Sequence, residues 1–127
     1  MALFNTLHHI AIISADYPAA RHFYVDLLGF EIVRESYRAQ RDDWKLDLKL
    51  GDCELELFGI ASAPKRPSYP EACGLRHLAF KVEDIHAAIA QLEALGIPCE
   101  PVRMDPYTDK PMTFFHDPDG LPLELHE

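Results

Sequence analysis

An internal repeat is the feature that most constrains the fold of this chain. His77 follows His9 by 68 positions (77 − 9), and Glu124 follows Glu56 by the same interval. The neighbours repeat too: His9-Ile10-Ala11-Ile12 is matched by His77-Leu78-Ala79-Phe80, and Leu55-Glu56-Leu57 by Leu123-Glu124-Leu125. Half of a chain of 127 residues would be only marginally stable alone, because it buries little surface. We therefore expect one domain, residues 1–127, built from two repeats at approximately residues 7–60 and 75–127.

Each repeat opens with the pattern of a strand followed by a helix. Asp16 and Asp84 stand where N-caps are expected, and Gly29 and Gly96 stand where the helices end. The first helix is predicted to continue to Leu28. Three strand-like segments follow each helix, and in the second repeat they are residues 99–103, 112–115 and 121–126. The sequence thus predicts an α+β protein with the order βαβββ twice, joined by a proline-containing connection.

Composition and charge exclude several classes of function. The net charge of −9 opposes binding to nucleic acid and to anionic membrane surfaces. No apolar stretch approaches the ~18 residues of a membrane span, and the first residues lack the basic and apolar regions of a signal peptide. Cys53, Cys73 and Cys99 have the spacing of neither a disulfide scaffold nor a thiolate zinc site. We expect a cytoplasmic protein that does not bind polyanions.

Strand alternation places the repeated His and Glu residues on one side of the predicted sheets. Leu55 and Leu57 would pack under the helix, which leaves Glu56 on the opposite face, and Glu124 has the same flanks. A carboxylate in a sheet needs a cation or a proton, because burying it unpaired is costly. Two imidazoles and two carboxylates form a neutral set around a divalent ion, with ligand atoms that suit Ni, Co, Zn, Mn or Fe. Any one of these side chains alone would be interpreted as a partly exposed strand-end residue, and the fourfold pattern is what favours a metal site.

The chain resembles the vicinal oxygen chelate superfamily, which contains glyoxalase I, methylmalonyl-CoA epimerase, fosfomycin-resistance transferases, extradiol dioxygenases and bleomycin-binding proteins. The motifs are Leu7-His8-His9-Ile10-Ala11-Ile12, Leu28-Gly29-Phe30, Leu55-Glu56-Leu57, Arg76-His77-Leu78-Ala79-Phe80 and Asp117-Pro118-Asp119-Gly120. They extend over nearly the whole chain, which is most similar to small bacterial glyoxalase I-like proteins. The resemblance implies a curved, partly open eight-stranded barrel-like sheet with the helices outside. It also implies a homodimer and a divalent metal held by His9, Glu56, His77 and Glu124, with the four ligands drawn from one chain or from both chains of the dimer.

By the same resemblance, the activity is that of a metal-dependent glyoxalase I-like lyase or isomerase. The metal would bind neighbouring oxygens of a small substrate and stabilise an enolate, while Glu124, with Glu56 as its symmetric counterpart, moves a proton. Bacterial glyoxalase I holds glutathione through an Arg and an Asn at positions that are Ile13 and Ile60 here, which argues against lactoylglutathione lyase activity itself. The residues expected to contact a substrate are Arg38, Arg41, Trp44, Tyr107 and Lys110.

Other functions stay open at this level. An extradiol dioxygenase would use two His and one Glu around Fe(II), and a fourth protein ligand at Glu56 leaves less room for oxygen and catechol. Transfer of a thiol to fosfomycin usually goes with three ligands as well, and an acyl-CoA epimerase tends to carry Gln at the first acidic position. A non-enzymatic binder of an antibiotic such as bleomycin would need none of the four ligands. The lyase or isomerase is the leading hypothesis.

Overall fold

The structure, a computed structural model, describes residues 1–127 and consists of two compact units, Met1–Lys65 and Arg66–Glu127. The boundary between the units lies in the proline-containing connection that the sequence predicts. Each unit is one βαβββ module. The organisation of the two modules as a single domain stays a prediction.

The first unit contains one four-stranded sheet and one helical segment. Its elements are β1 (His9–Ser14), α1 (Tyr17–Arg21), a π-helical segment (His22–Leu27), β2 (Ile32–Arg38), β3 (Asp43–Leu50) and β4 (Cys53–Gly59). The strand order is β1-β4-β3-β2, with β1 parallel to β4 and the other neighbours antiparallel. The first and last strands of the module therefore lie side by side, which brings the repeated His and Glu motifs onto adjacent strands.

The helical segment of the first unit begins as predicted but is not one continuous α-helix. The side chain of Asp16 accepts a hydrogen bond from the Ala19 amide at 3.1 Å, so this residue is the N-cap. After Arg21 the hydrogen bonds become those of a π-helix, in which an amide donates to the carbonyl five residues earlier instead of four. The Leu28 amide, for example, donates to the Phe23 carbonyl at 2.9 Å. The expected α-helix to Leu28 is thus corrected to a short α-helix that passes into a π-helical segment.

The second unit repeats the arrangement with shorter strands. Its elements are β5 (Leu78–Lys81), α2 (Ile85–Ala94), β6 (Arg103–Asp105), β7 (Lys110–His116) and β8 (Pro122–His126). The strand order is β5-β8-β7-β6, with β5 parallel to β8. Asp84 caps α2 by accepting from the Ala87 amide at 3.1 Å, which confirms the second predicted cap.

One strand of the second unit is displaced from its predicted position. The sequence predicts a strand over residues 99–103, whereas β6 is Arg103–Asp105. Pro101 has no amide hydrogen and cannot donate to a sheet at that point. The chain before it is held by other bonds: the Glu100 amide donates to the Phe114 carbonyl at 2.9 Å, and the Thr113 hydroxyl donates to the Glu100 carbonyl at 2.7 Å.

The α+β class and the two βαβββ modules are confirmed. The eight strands form two four-stranded sheets, which are not closed into a barrel. In each sheet the leucines beside the repeated Glu are buried, as alternation predicts: Leu55 and Leu57 are fully buried in one unit, and Leu123 and Leu125 are buried in the other. No helix of the structure has the length and apolar character needed to cross a membrane.

Candidate metal centre

In the first unit, the side chains of His9 and Glu56 meet on the face of the sheet opposite the buried leucines. His9 begins β1, and Glu56 lies across from Ala11 of that strand, two residues further on. The Nδ1 atom of His9 is 3.5 Å from Oε2 of Glu56, and the two side chains are 43% and 14% exposed. The same Nδ1 atom is 2.9 Å from Nδ1 of His8. The pair is open to solvent on the imidazole side.

In the second unit, His77 and Glu124 occupy the equivalent positions. His77 immediately precedes β5, and Glu124 lies across from Ala79, just as Glu56 lies across from Ala11. Nε2 of His77 is 3.9 Å from Oε1 of Glu124. The other ring nitrogen, Nδ1, is buried without a hydrogen-bond partner, and the edge of the ring packs against Phe114 at 5.1 Å between ring centres.

The separations within the two pairs fit coordination better than direct hydrogen bonding. Two ligand atoms that each lie about 2.0–2.2 Å from one ion are roughly 3–4 Å apart, and the pairs measure 3.5 Å and 3.9 Å. Imidazole nitrogen and carboxylate oxygen are donors that first-row divalent ions accept. No group of three or more His, Cys, Asp or Glu side chains is arranged to hold an ion. Each unit brings one imidazole and one carboxylate together.

The surroundings of the two glutamates differ. Oε1 of Glu56 lies 3.7 Å from Nζ of Lys45, and that ammonium also contacts the buried carboxylate of Asp47 at 2.7 Å. Arg34 donates to Asp47 at 3.0 Å and to Glu54 at 3.0 Å. Burial alone would raise the pKa of Asp47, but the hydrogen bonds and charges of Lys45 and Arg34 outweigh it and hold that pKa below its usual value.

The position facing the glutamate on the next strand explains the difference. Asp47 faces Glu56 across β3 and β4, whereas Phe114 faces Glu124 across β7 and β8. The first unit therefore has two neighbouring carboxylates, Asp47 and Glu56, whose charges need cations to balance them. The second unit has the uncharged ring of Phe114 at the position equivalent to Asp47. Glu124 has no lysine or arginine partner, and the imidazole of His77 lies 3.9 Å from its carboxylate. Sequence reasoning did not identify the roles of Arg34, Lys45 and Asp47.

A small pocket adjoins His77 within the second unit. Its volume is about 50 Å³, and its charged and polar lining includes Glu71, Arg76, His77, Glu100, Arg103 and His116. Sequence reasoning did not identify this pocket either. Several of its residues lie outside the strands, where no periodicity signals which side chains converge.

The residues that the sequence predicts to contact a substrate lie in different environments. Arg38 donates two hydrogen bonds to Asp43, at 2.7 Å and 2.6 Å, and its guanidinium lies 4.9 Å above the ring of Phe58. The Arg38 bond holds the pKa of Asp43 below its usual value.

Trp44 stacks on Tyr17 of the helical segment at 5.1 Å between ring centres, on the face of β3 opposite Lys45. Arg41 is exposed in the turn between β2 and β3.

The two candidates in the second unit lie at the turn between β6 and β7. Tyr107 is 95% exposed, and its amide donates to Asp105 at 2.8 Å. Lys110 is the exposed first residue of β7. Neither side chain lines the pocket beside His77.

The two isoleucines that replace glutathione-binding residues lie in the first unit. Ile13 is 56% exposed on the same face of β1 as His9. Ile60 follows β4, where its amide donates to the Ser14 carbonyl at 2.8 Å. Ile13 therefore presents an exposed apolar side chain on the face of β1 that carries His9.

Comparison with known protein families matches the sequence to one family. A family model described as the glyoxalase/bleomycin resistance protein/dioxygenase superfamily matches residues 6–125, nearly the whole chain. The chain belongs to this superfamily. The resemblance inferred from the sequence motifs is confirmed.

Relatives within the superfamily are similar over their whole length. The uncharacterized protein YaeR of Escherichia coli (strain K12) is 59% identical over 95% of each chain. A crystal structure of a glyoxalase family protein from Enterococcus faecalis is 59% identical, with a TM-score of 0.95 over 99% of this chain and 100% of that one. A crystal structure of lactoylglutathione lyase from Agrobacterium tumefaciens is 25% identical, with a TM-score of 0.75 over 99% of this chain and 96% of that one.

Proposed function

We propose that the protein is a metal-dependent lyase or isomerase of the glyoxalase I type, acting by proton transfer on a small substrate chelated through its oxygens. His9, Glu56, His77 and Glu124 would hold one divalent ion, Ni, Co, Zn, Mn or Fe. The two pairs would come from one chain or from the two copies of a homodimer. The observation that carries the proposal is that both repeats bring an imidazole nitrogen and a carboxylate oxygen to a ligand-like separation at equivalent positions.

Membership of the superfamily supports the metal, because its members typically bind a divalent ion. A bound ion would polarise the substrate oxygens and make the neighbouring carbon more acidic. The protein would hold the ion with a neutral set of two imidazoles and two carboxylates. That set leaves coordination positions for the substrate on an ion that accepts six ligands.

Glu124 is the better candidate for the group that takes the proton. No lysine or arginine contacts its oxygens, and the imidazole of His77 lies 3.9 Å away. Glu56 is held between His9 on one oxygen and Lys45 on the other, which suits a fixed ligand. A carboxylate that moves a proton must change its protonation state and its contacts during the reaction, and Glu124 has fewer contacts to break.

The substrate of this reaction would be smaller than a glutathione adduct. Ile13 and Ile60 offer neither the charge nor the hydrogen bonds that the tripeptide needs, and the pocket beside His77 has a volume of about 50 Å³. The relative named lactoylglutathione lyase, at 25% identity, makes hemithioacetals the first compounds to test. Acyl-CoA esters, catechols and fosfomycin with a thiol test the alternative reactions.

Metal binding tests the ligand set. The chelator-treated protein is titrated with each of the five metals, and bound metal is measured by elemental analysis after gel filtration. We expect one ion per complete set of four ligands, and a loss of affinity of about 10–100-fold or more for His9→Gln, Glu56→Gln, His77→Gln and Glu124→Gln. His86→Gln, on the exposed face of α2, is the matched control and should bind metal normally. Equal binding by all five variants would refute the ligand set.

Proton transfer tests the reaction itself. Incubation with active substrate in deuterium oxide should introduce deuterium at the carbon beside the chelated oxygen. Glu124→Gln, loaded by raising the metal concentration until occupancy equals that of the wild type, should lose this exchange. Full turnover by the loaded Glu124→Gln variant would exclude Glu124 as the base.

A further inference from the structure

Two arginines face the pocket beside His77, and each is oriented by a neighbouring acid. Nε of Arg76 donates to Oε2 of Glu71 at 2.7 Å, and Nη1 of Arg103 donates to Oε1 of Glu100 at 3.2 Å. These are the only protein acceptors of the two guanidinium groups. Each guanidinium has five N–H donors, so most of them are available to a ligand.

The arginines are also held in place from other directions. Nη2 of Arg66 donates to the carbonyl oxygen of Arg76 at 2.7 Å, which fixes the backbone just before His77. The guanidinium carbon of Arg103 lies 5.3 Å above the ring of Phe114, the ring that also packs against His77. Donors that are oriented before a ligand arrives lose less conformational freedom on binding.

The size of the pocket limits what it can accept. One water molecule needs about 10–15 Å³ of cavity volume, and the pocket has a volume of about 50 Å³. It therefore has room for a group of a few heavy atoms, such as a carboxylate, and not for a peptide. A planar guanidinium matches the two oxygens of a carboxylate in geometry as well as in charge, and two such groups line this pocket.

We propose that Arg76 and Arg103 form a carboxylate-binding subsite, so that the substrates of this protein are small carboxylic acids. This subsite rests on the proposed function, because His77 both lines the pocket and is a proposed ligand of the catalytic metal. A carboxylate in the pocket would place the neighbouring atoms of the same molecule on the side of His77. The arginines determine which substrate binds and are not themselves the proton-transfer groups.

Binding of pyruvate to the metal-free protein tests the subsite separately from the metal. Its affinity is measured by ligand-observed NMR for the wild type, Arg76→Gln and Arg103→Gln. We expect each substitution to weaken pyruvate binding at least tenfold, because charge-assisted hydrogen bonds to the carboxylate are lost. Lys81→Gln, which removes an exposed cation of the same unit outside the pocket, should leave the affinity unchanged.

Further comparisons identify the group that the pocket recognises. Methyl pyruvate, which lacks the charge, should bind the wild type no better than it binds Arg103→Gln. Arg103→Lys keeps the charge but loses the planar pair of donors, and it should recover only part of the affinity. Thermal unfolding of each variant verifies that it is folded. Unchanged pyruvate binding in both glutamine variants, equal weakening by Lys81→Gln, or tighter binding of inorganic phosphate than of pyruvate would overturn the proposal.

The two proposals fail in distinguishable ways. If no metal binds while pyruvate binding still depends on Arg76 and Arg103, the metal-dependent function is wrong and the subsite stands. If metal binds through His77 but pyruvate affinity does not depend on the arginines, the subsite is wrong and the metal centre stands.

Discussion

Nζ of Lys45 lies 3.7 Å from Oε1 of Glu56, whereas the equivalent carboxylate in the second repeat, Glu124, has no lysine or arginine partner. The two halves of the repeated motif are thus alike in their proposed ligands and unlike in charge. The difference arises on the neighbouring strands, where Asp47 faces Glu56 and Phe114 faces Glu124. Under the proposed function, this asymmetry predicts different effects on metal binding in the two halves, which can be tested directly.

Removing the ammonium of Lys45 should strengthen metal binding. Two unit charges a few ångströms apart in a water-like environment interact by about 1 kcal/mol, so the loss of one positive charge near a divalent ion favours the ion. We expect Lys45→Met to lower the metal dissociation constant about tenfold, measured by competition with a fluorescent chelator at low ionic strength. Lys49→Met is the matched control, because Lys49 lies on the same face of β3 and makes no ion pair. Equal effects of the two substitutions would show that only the overall charge matters.

The register that brings Lys45 and Asp47 to Glu56 was accessible from the sequence. The strand pattern of the first repeat predicts strands over residues 44–50 and 53–58, and the two residues between them, Gly51 and Asp52, are the length of a tight hairpin loop. A two-residue loop pairs Leu50 with Cys53, and counting back from that pair places Asp47 opposite Glu56, as the structure has it. The repeat, the caps and the alternation of buried leucines were likewise predictable because they depend on local spacing.

The remaining features depend on contacts that no periodicity encodes. Glu71 and Arg76 precede β5 and Arg103 begins β6, yet all three line one pocket, and the segment before β5 has no regular spacing from which this could be predicted. The passage from α1 into a π-helical segment had no sequence signal that we recognise. The displaced β6 was predictable in part, since Pro101 lies inside the segment that was expected to pair.

Gly59 should be intolerant of any side chain. A Cβ atom at this position would lie 2.6 Å from Cβ of Tyr17 and 2.8 Å from its Cγ, which are not flexible ends of a side chain. Gly59→Ala forces the helical segment away from the end of β4, and we expect a loss of about 1–3 kcal/mol in the free energy of unfolding, measured with urea. In the Tyr17→Gly background, which removes the Cβ at 2.6 Å as well as the ring, the same substitution should cost much less. An equal cost in both backgrounds would remove Tyr17 as the cause.

Leu123 should contribute strongly to the stability of the second unit. It is fully buried beside Glu124 on β8. Leu123→Ala leaves a cavity, and we expect the free energy of unfolding to fall by about 2–5 kcal/mol. Leu75→Ala, at a position that is mostly exposed, should change it little. Similar losses for the two variants would contradict the packing described for this sheet.

Glu35 should stabilise the first unit at neutral pH and cease to do so in acid. Its carboxylate accepts hydrogen bonds from Arg21 at 2.8 Å and 3.2 Å and another from the Tyr17 hydroxyl, so it connects α1 to β2. The Arg21 bonds, followed by the Tyr17 bond, hold the pKa of Glu35 below its ordinary value of 4.5. A pKa that is lower in the folded state adds stability above the unfolded pKa, and this stability is lost as the pH falls through the folded pKa.

The measurement compares wild type with Glu35→Gln in urea unfolding at pH 7 and at successively lower pH, down to the lowest pH at which the wild type remains folded. We expect the wild type to be more stable by about 1 kcal/mol at pH 7, as for a partly exposed ion pair, and the difference to shrink below pH 4.5. Glu83→Gln, at an exposed position without an ion pair, should show no such pH-dependent difference. A stability difference for Glu35→Gln that stays constant to the lowest pH would mean that the carboxylate charge does not hold α1 to β2.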